Sequence, residues 1–237
     1  MNAQFTIATW NVERPNLTME KEKERVNAIN AELKKHPADI LILTETNECI
    51  TPENIEYVHH SEPLEKEAGG NYYKEGERRV SIWSVHPIIE TLKVKNSLTS
   101  ACAVIQTPLG NLAVFGCIIG IHGRGKGFDT DLQDQMADLR RFQEAGYNIC
   151  YAGDFNMSFC DSFYTKKSAR SQLSVLFSTL KMKNLTADIP ENIDHIVISE
   201  SFRPISSFEK ECWNKDKKNA CPIVLSDHKG VAVTLQF

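Results

Sequence analysis

Residues 147–156 read YNICYAGDFN, an apolar run that stops at Gly153 and gives way at once to Asp154 and Asn156. A short, nearly unbroken apolar run fits a strand covered on both faces, so a layered α/β architecture is the first expectation. The same shape recurs on either side. QFTIATWN (4–11), ADILILTE (38–45), RRVSIWS (78–84), IIETLKV (88–94), ACAVIQT (101–107), LAVFGCII (112–119), IDHIVIS (193–199) and GVAVTLQF (230–237) all read as strands. Pro108-Leu109-Gly110-Asn111 joins two of them in the manner of a hairpin. Helices are expected at about 18–36, at about 129–144 and at 169–181. In the first, Val26, Ile29 and Leu33 share one face, with Glu and Lys opposite. The stretch 55–73 reads as polar and turn-rich, with Gly69-Gly70-Asn71 as a bend.

Two helix-containing halves, each with its own strands, suggest two sheets packed face to face with helices outside. No repeat, low-complexity tract or linker interrupts the chain, so residues 1–237 read as one domain. Of the 237 residues, 41% are hydrophobic and 24% charged, which excludes collagen-like, disordered and membrane-spanning classes. A net charge of -4 excludes a polybasic protein that grips nucleic acid by bulk charge, though not a local basic cleft. The seven cysteines form no CxxC pair, the first residues lack a signal-peptide run, and no stretch is apolar enough to span a bilayer. The expectation is a cytoplasmic protein without a membrane anchor.

Polar residues gather where the apolar strands stop: Asn11 and Glu13, Glu45, Asp154 and Asn156, Asp194 and His195, Asp227 and His228. If those strands share an edge, their carboxylates converge on one rim and repel one another, and a hard divalent cation is the usual way to hold them. Carboxylate and amide oxygens suit Mg²⁺ or Mn²⁺. Zinc would want Cys and His at ligand spacing, which the sequence lacks.

In that order, ATWNVE, ILTETN, GDFN, IDHIV and SDHKGV resemble the endonuclease/exonuclease/phosphatase superfamily from about residue 5 to 235. This group includes exonuclease III, pancreatic deoxyribonuclease, inositol polyphosphate 5-phosphatases and neutral sphingomyelinases. The resemblance implies a four-layered α/β sandwich of two packed mixed sheets flanked by helices. It also implies phosphodiester hydrolysis by in-line attack of an activated water, with Mg²⁺ or Mn²⁺ as cofactor. Glu45 is similar to the principal metal ligand, supported by Asn11 and Asp227. Glu13 stands where exonuclease III-like members carry an Asp that joins the metal. Asp154 resembles the residue that orients or deprotonates the water, Asn156 the phosphate's hydrogen-bond donor, and His228 its histidine contact, oriented by Asp194. His122 follows its strand where several branches carry a catalytic His that could protonate the leaving oxygen; His195 carries no such role. The implied substrate is nucleic acid, with a small phosphoester as the alternative and a catalytically silent binding module as a third reading. A monomer is expected.

GIHGRGK (120–126) matches the start of a phosphate-binding P-loop, but Gly127 supplies no hydroxyl for Mg²⁺, and Asp129 and Asp131 would repel phosphate. A loop whose Arg124 and Lys126 steer a phosphate fits better. Arg78, Arg79, Lys166, Lys167 and Arg170 could line the cleft. Trp213, in the basic segment ECWNKDKK, is expected to stack on a base, the competing reading being a ring folded back on the core. Trp10 and Trp83, within apolar strands, are expected in the core.

Overall fold

The apolar runs pair into two six-stranded sheets. The computed structural model describes residues 4–65, 67–68, 71–120, 126–164, 166–202, 206–214 and 223–237. In chain order the elements are β1 (Gln4–Asn11), α1 (Glu20–Lys35), β2 (Ile40–Asn47), β3 (Tyr57–His60), β4 (Glu67–Ala68), β5 (Asn71–Tyr72), β6 (Glu77–Ser84), β7 (Ile88–Thr91), β8 (Ser100–Thr107), β9 (Gly110–Ile118), α2 (Lys126–Glu144), β10 (Ile149–Asp154), α3 (Lys167–Thr179), β11 (Met182–Asn184), β12 (Asp194–Ser199), β13 (Ser207–Trp213) and β14 (Gly230–Gln236). The first sheet runs β13-β14-β1-β2-β6-β3 and the second β11-β12-β10-β9-β8-β7; β4 and β5 form a separate hairpin. Both large sheets are mixed, because β1 is parallel to β2 and β9 is parallel to β10.

Alternation along the strands divides the side chains among three cores. Ile7, Ile42, Ile82 and Val233 of the first sheet face Val114, Ala152 and Ile196 of the second. On the outer side of the first sheet, Trp10, Leu41 and Leu43 pack against Val26, Ile29 and Leu33 of α1. On the outer side of the second, Phe115 and Tyr151 pack against Leu132 and Leu139 of α2 and Leu173 and Phe177 of α3. Helix, sheet, sheet, helix is the four-layered sandwich that the sequence implied. No helix among the described residues is long and apolar enough to cross a membrane.

Strands lie at five places where none was expected, among them the two-residue β4 and β5 and the three-residue β11. β3 falls inside the stretch read as turns, and β13 runs into the segment read as a basic loop. Both are edge strands with few buried side chains, so neither carries the apolar run that marks a strand in sequence. α2 begins at Lys126, three residues before the expected Asp129.

The topology collects the polar strand ends. Parallel pairing puts the C-terminal ends of β1 and β2 side by side, with Asn11 opposite Thr44. It does the same for β9 and β10, with Ile118 opposite Asp154. β14 is antiparallel to β1, so the turn before its first residue meets the end of β1. β12 is antiparallel to β10, and its first residue, Asp194, is the register partner of Asp154.

Candidate active site

Each sheet supplies half of one polar cluster, and two side-chain hydrogen bonds cross between them. Asn11 Nδ2, on the first sheet, donates to Asp154 Oδ2 on the second at 3.0 Å. His228 Nδ1, in the turn before β14, lies 2.7 Å from Asp194 Oδ2. That turn is held in place by its own backbone partners. Ser226 Oγ donates to the Asn11 carbonyl at 2.6 Å and accepts the His228 N–H at 3.0 Å. Trp10 Nε1 and Asn214 Nδ2 both donate to the His228 carbonyl.

Asp154 is buried, and both of its oxygens are engaged. The Asn156 N–H donates to Oδ1 at 2.8 Å and the Asn11 amide to Oδ2. Burial is the largest influence on its carboxyl and outweighs the attraction of His228, raising the pKa to about 7. For His228 the balance falls the other way. Burial opposes the charge, but Asp194 and Asp154 beside the ring raise its pKa to about 10, so the imidazole is protonated at neutral pH. The Nδ1–H therefore donates to Asp194. The Asn156 amide donates to the Ile119 carbonyl at 2.9 Å and, over a longer 3.4 Å, to Asp154 Oδ2.

Glu45 ends the apolar part of β2 in a left-handed conformation, φ 46°. Its side chain is 22% exposed, and its one side-chain partner among the described residues is Arg79, 3.8 Å away. Burial raises the Glu45 pKa, with Arg79 the leading opposing charge. Glu13, Arg14 and Asn156 also have positive φ, each conformation costing about 1–3 kcal/mol for a non-glycine residue. Strain of this kind persists only where surroundings impose it. Here the Glu45 carbonyl accepts the Arg14 N–H at 2.7 Å, and Asn11 Oδ1 accepts the Glu13 N–H at 2.9 Å. Glu13 Oε2 accepts the Asp227 N–H at 3.2 Å and lies 3.7 Å from Arg25. Asp227 Oδ1 is 3.6 Å from His228 Nε2.

The structure brings together Asn11, Glu13, Glu45, Asp154, Asn156, Asp194, Asp227 and His228. Two other sequence expectations, for Trp213 and Arg79, are corrected. Trp213 is 5% exposed, edge-on to Trp10 and stacked on His36 at 4.5 Å, so its ring belongs to the core and offers no face to a base. Arg79 does not line a cleft. It is buried under Glu45, donating to the Tyr73 hydroxyl and lying over the Tyr73 ring at 4.7 Å. His195 is buried between Thr186 Oγ1 and the Met157 carbonyl, each 3.0 Å away, and burial lowers its pKa to about 4, as suits a neutral core histidine. His122 and Arg124 lie outside the described residues, and of Lys126 only its place at the start of α2 is described.

Sequence reasoning missed Arg25. From α1 it donates to the carbonyls of Val12 at 2.8 Å, Glu13 at 3.0 Å and Leu225 at 3.0 Å, clasping the end of β1 to the turn that carries His228. A helix rich in Glu and Lys gives no signal that singles out one cation. Asn192, whose amide donates to the Asp194 carbonyl, and Asn214 were missed as well, each a lone amide in a polar segment.

The endonuclease/exonuclease/phosphatase family model matches residues 8–228, from the first strand through the histidine of the last site turn. The chain belongs to this family. Members of the endonuclease/exonuclease/phosphatase family are metal-dependent phosphoester hydrolases, and the cluster lies at the edge where their fold collects its strand ends. Similar solved structures share the fold at low identity. A humanized D. rerio TDP2 aligns with a TM-score of 0.70 at 12% identity, covering 99% of each chain. The 3′ phosphatase NExo from Neisseria, bound to a product DNA hairpin, aligns at 0.68 and 14%, covering 98% of this chain and all of that one. Sphingomyelinase C from Streptomyces griseocarneus aligns at 0.64 and 12%, covering 98% of this chain and 99% of the other. No curated protein matches the sequence significantly.

Proposed function

We propose that this chain is a divalent-metal-dependent nuclease that hydrolyses phosphodiester bonds by in-line attack of water. The observation that carries the reading is the His228 imidazolium held between Asp194 and Asp154 beside an amide donor, Asn156. In-line attack piles negative charge on the phosphoryl oxygens, and a protonated histidine and an amide are suited to receive it. His228 Nε2–H donates to a phosphoryl oxygen while Asp194 fixes the ring. Asn156 would turn the amide hydrogen that it shares with Asp154 Oδ2, at 3.4 Å, to the same phosphate. Asp154 takes or orients the proton of the attacking water, its carboxylate held in one orientation by the Asn11 amide and the Asn156 N–H. His122 is assigned to protonation of the leaving oxygen, with Arg124 and Lys126 drawing phosphate to the site.

The residues present fit a hard cation. Glu45 is a partly buried carboxylate with no hydrogen-bond donor among the described residues, the charge of Glu13 acts on it, and Asn11, Glu13 and Asp227, linked to one another by hydrogen bonds, carry oxygen ligands. Glu45 would hold Mg²⁺ or Mn²⁺, with those three in support. Asp154, Asp194 and His228 also have ligand atoms within 4.8 Å of one another, but a protonated imidazole donates no lone pair and already balances the carboxylate charge. When bound, the cation supplies Lewis-acid stabilisation of the phosphoryl charge.

Nucleic acid is favoured as substrate because similar folds include a 3′ phosphatase bound to a DNA hairpin and the TRAS1 retrotransposon endonuclease domain. The sphingomyelinase among them keeps a small or lipid phosphoester as the second reading, since fold gives reaction type rather than substrate. The test is hydrolysis of single-stranded, duplex and abasic DNA, RNA, inositol polyphosphates and a sphingomyelin analogue, with Mg²⁺, with Mn²⁺ and with chelator. Metal-dependent strand cleavage, abolished in Asp154→Ala, is expected. Cleavage that survives the substitution overturns the mechanism, and hydrolysis of the small phosphoesters alone overturns the nuclease assignment.

A further inference from the structure

The loop that leaves β10 turns two aromatic rings outward. Phe163 is 38% exposed and Tyr164 57%, with ring centroids 4.9 Å apart and planes at 58°. Single exposed apolar side chains are ordinary, but two rings in mutual contact at the edge of a catalytic site leave a patch that nothing in the fold uses. The loop beneath them is braced. The Ser158 N–H donates to the Phe163 carbonyl at 3.3 Å and the Phe163 N–H to Asp161 Oδ1 at 2.9 Å. Arg170, from α3, donates to the carbonyls of Ser158 and Asp161 at 3.2 and 2.9 Å. Tyr164 is held at φ 46°, a conformation that a bulky residue adopts only under constraint.

Those braces also place the rings. Ser158 follows Asn156 by two residues, at most about 7 Å of chain, and it is bonded to the backbone of Phe163. On the other side Asp161 Oδ2 accepts the Glu191 N–H at 2.7 Å, and Cys160 Sγ lies 3.3 Å from the Ile189 carbonyl, so the loop rests on the turn that leads to Asn192 and Asp194. The aromatic pair is thus fixed rigidly to the two segments that carry Asn156 and Asp194.

We infer that Phe163 and Tyr164 form a stacking platform for an unpaired nucleobase close to the scissile phosphate. The inference rests on the nuclease reading and narrows it to strands with a free base face: single-stranded, frayed or flanking an abasic site. Every base has a π-face, so the platform is tolerant of sequence, and a rigid aromatic surface loses little entropy on binding. Lys167, exposed at the start of α3, follows Tyr164 by three residues, where it favours the strand's phosphates, while Lys166 lies over the Phe128 ring at 3.4 Å. A nucleobase seated there would hold the phosphodiester in register with His228 and Asp154.

The experiment uses 2-aminopurine placed in turn at each position of a short single strand, bound to the full-length Asp154→Ala protein so that the strand stays whole. Stacking quenches the probe. Quenching confined to one or two positions is expected, lost in Phe163→Leu/Tyr164→Leu and retained in Tyr164→Trp. In the Asp154 protein, KM for the intact strand should rise by about 5- to 100-fold in the double Leu variant. KM for a strand abasic at the quenched position should change far less. Leucine keeps the surface apolar, and circular dichroism checks that the variant is folded. If the protein cleaves the strand but quenching and KM do not depend on the two rings, the platform is overturned and the nuclease reading stands. If no strand is bound or cleaved while a small phosphoester is hydrolysed, the nuclease reading itself fails. Phospholipid-vesicle binding that disappears in the Leu variant, without any base dependence, assigns the rings to a lipid surface and overturns the platform.

Discussion

His228 shows how one residue's chemistry is set by its neighbours. Left to burial alone, its ring would lose its proton; Asp194 and Asp154 reverse that and raise the pKa to about 10. The folded value lies above the ordinary imidazole value of about 6.5, so the pairing contributes stability that is fully present below about pH 6.5 and is lost as pH rises through about 10. Asp194→Asn keeps a hydrogen-bonding group and removes the charge. We predict that it lowers the His228 midpoint by two or more pH units, read from the imidazole resonances by NMR in the presence of chelator. The alkaline fall in catalytic rate should move down with it. A midpoint that stays near 10 would show that Asp194 is not the source of the shift. The participants were legible in the sequence because acids, amides and a histidine stand where apolar strands stop, and strand ends are where a layered sheet exposes side chains. Their pairing was not, because Asp194 and His228 meet across two sheets and 34 positions of sequence. His195, adjacent to Asp194, points into the core as strand alternation requires, which a motif alone does not state.

At the scale of elements, α1 does more than cover the first sheet. Arg25 lies at the flank of the face formed by Val26, Ile29 and Leu33, and its guanidinium bonds carbonyls from two separate segments, 12–13 and 225. A planar fork with five donors can serve several acceptors at once, whereas a lysine ammonium acts as a single flexible point. Arg25→Ala leaves those carbonyls without their charged donor. We predict a loss of about 1.5–3 kcal/mol in denaturant unfolding, together with a 10- to 100-fold fall in kcat as the His228 turn shifts against β1. Arg25→Lys should recover part of the stability and less of the rate. An Arg25→Ala protein with normal kcat would mean that the turn is positioned by Ser226 and Asn214 without it. The strands that sequence reading missed are sheet edges, β3, β11 and β13, or the short separate hairpin of β4 and β5, whereas the exposed edge β7 was found from its IIETLKV run. β13 carries three consecutive exposed charges, Glu209, Lys210 and Glu211, and one buried side chain, so its pattern resembles a solvated loop until β14 is seen beside it. Trp213 follows from that pairing. It is the register partner of Gly230, and its ring occupies the space that a side chain there would need, with the Trp213 Cε2 only 1.8 Å from where a Cβ would stand. Without β13, nothing in the sequence decided between a ring folded inward and one turned to a base.

For the molecule as a whole, the separation of the two sheets is the critical dimension, because the site is divided between them. Asn11, Glu45 and His228 belong to one sheet and Asp154, Asn156 and Asp194 to the other, so the two cross-sheet hydrogen bonds hold only while the layers keep their distance. Gly116 sets that distance near the site. It pairs with Ala152, two residues before Asp154, and a Cβ placed on it would stand 2.7 Å from Val80 Cγ1 and 3.2 Å from Ile42 Cγ2 and Ile82 Cγ1, all across the sheet interface. Gly116→Val must push the first sheet away or distort β9. We predict a loss of about 1–3 kcal/mol, as for other overpacked cores, and a fall in kcat measured well below the unfolding temperature, where the protein is still folded. Leu173→Ala supplies the contrast. It removes a fully buried side chain between α3 and the outer face of the second sheet, and should cost about 2–5 kcal/mol while leaving the space between the sheets unchanged. If the folded Leu173→Ala protein keeps its rate and the folded Gly116→Val protein does not, alignment across the sheets governs catalysis. If both lose rate in proportion to stability, the site depends on the rigidity of the core as a whole, and the glycine has no special claim on it.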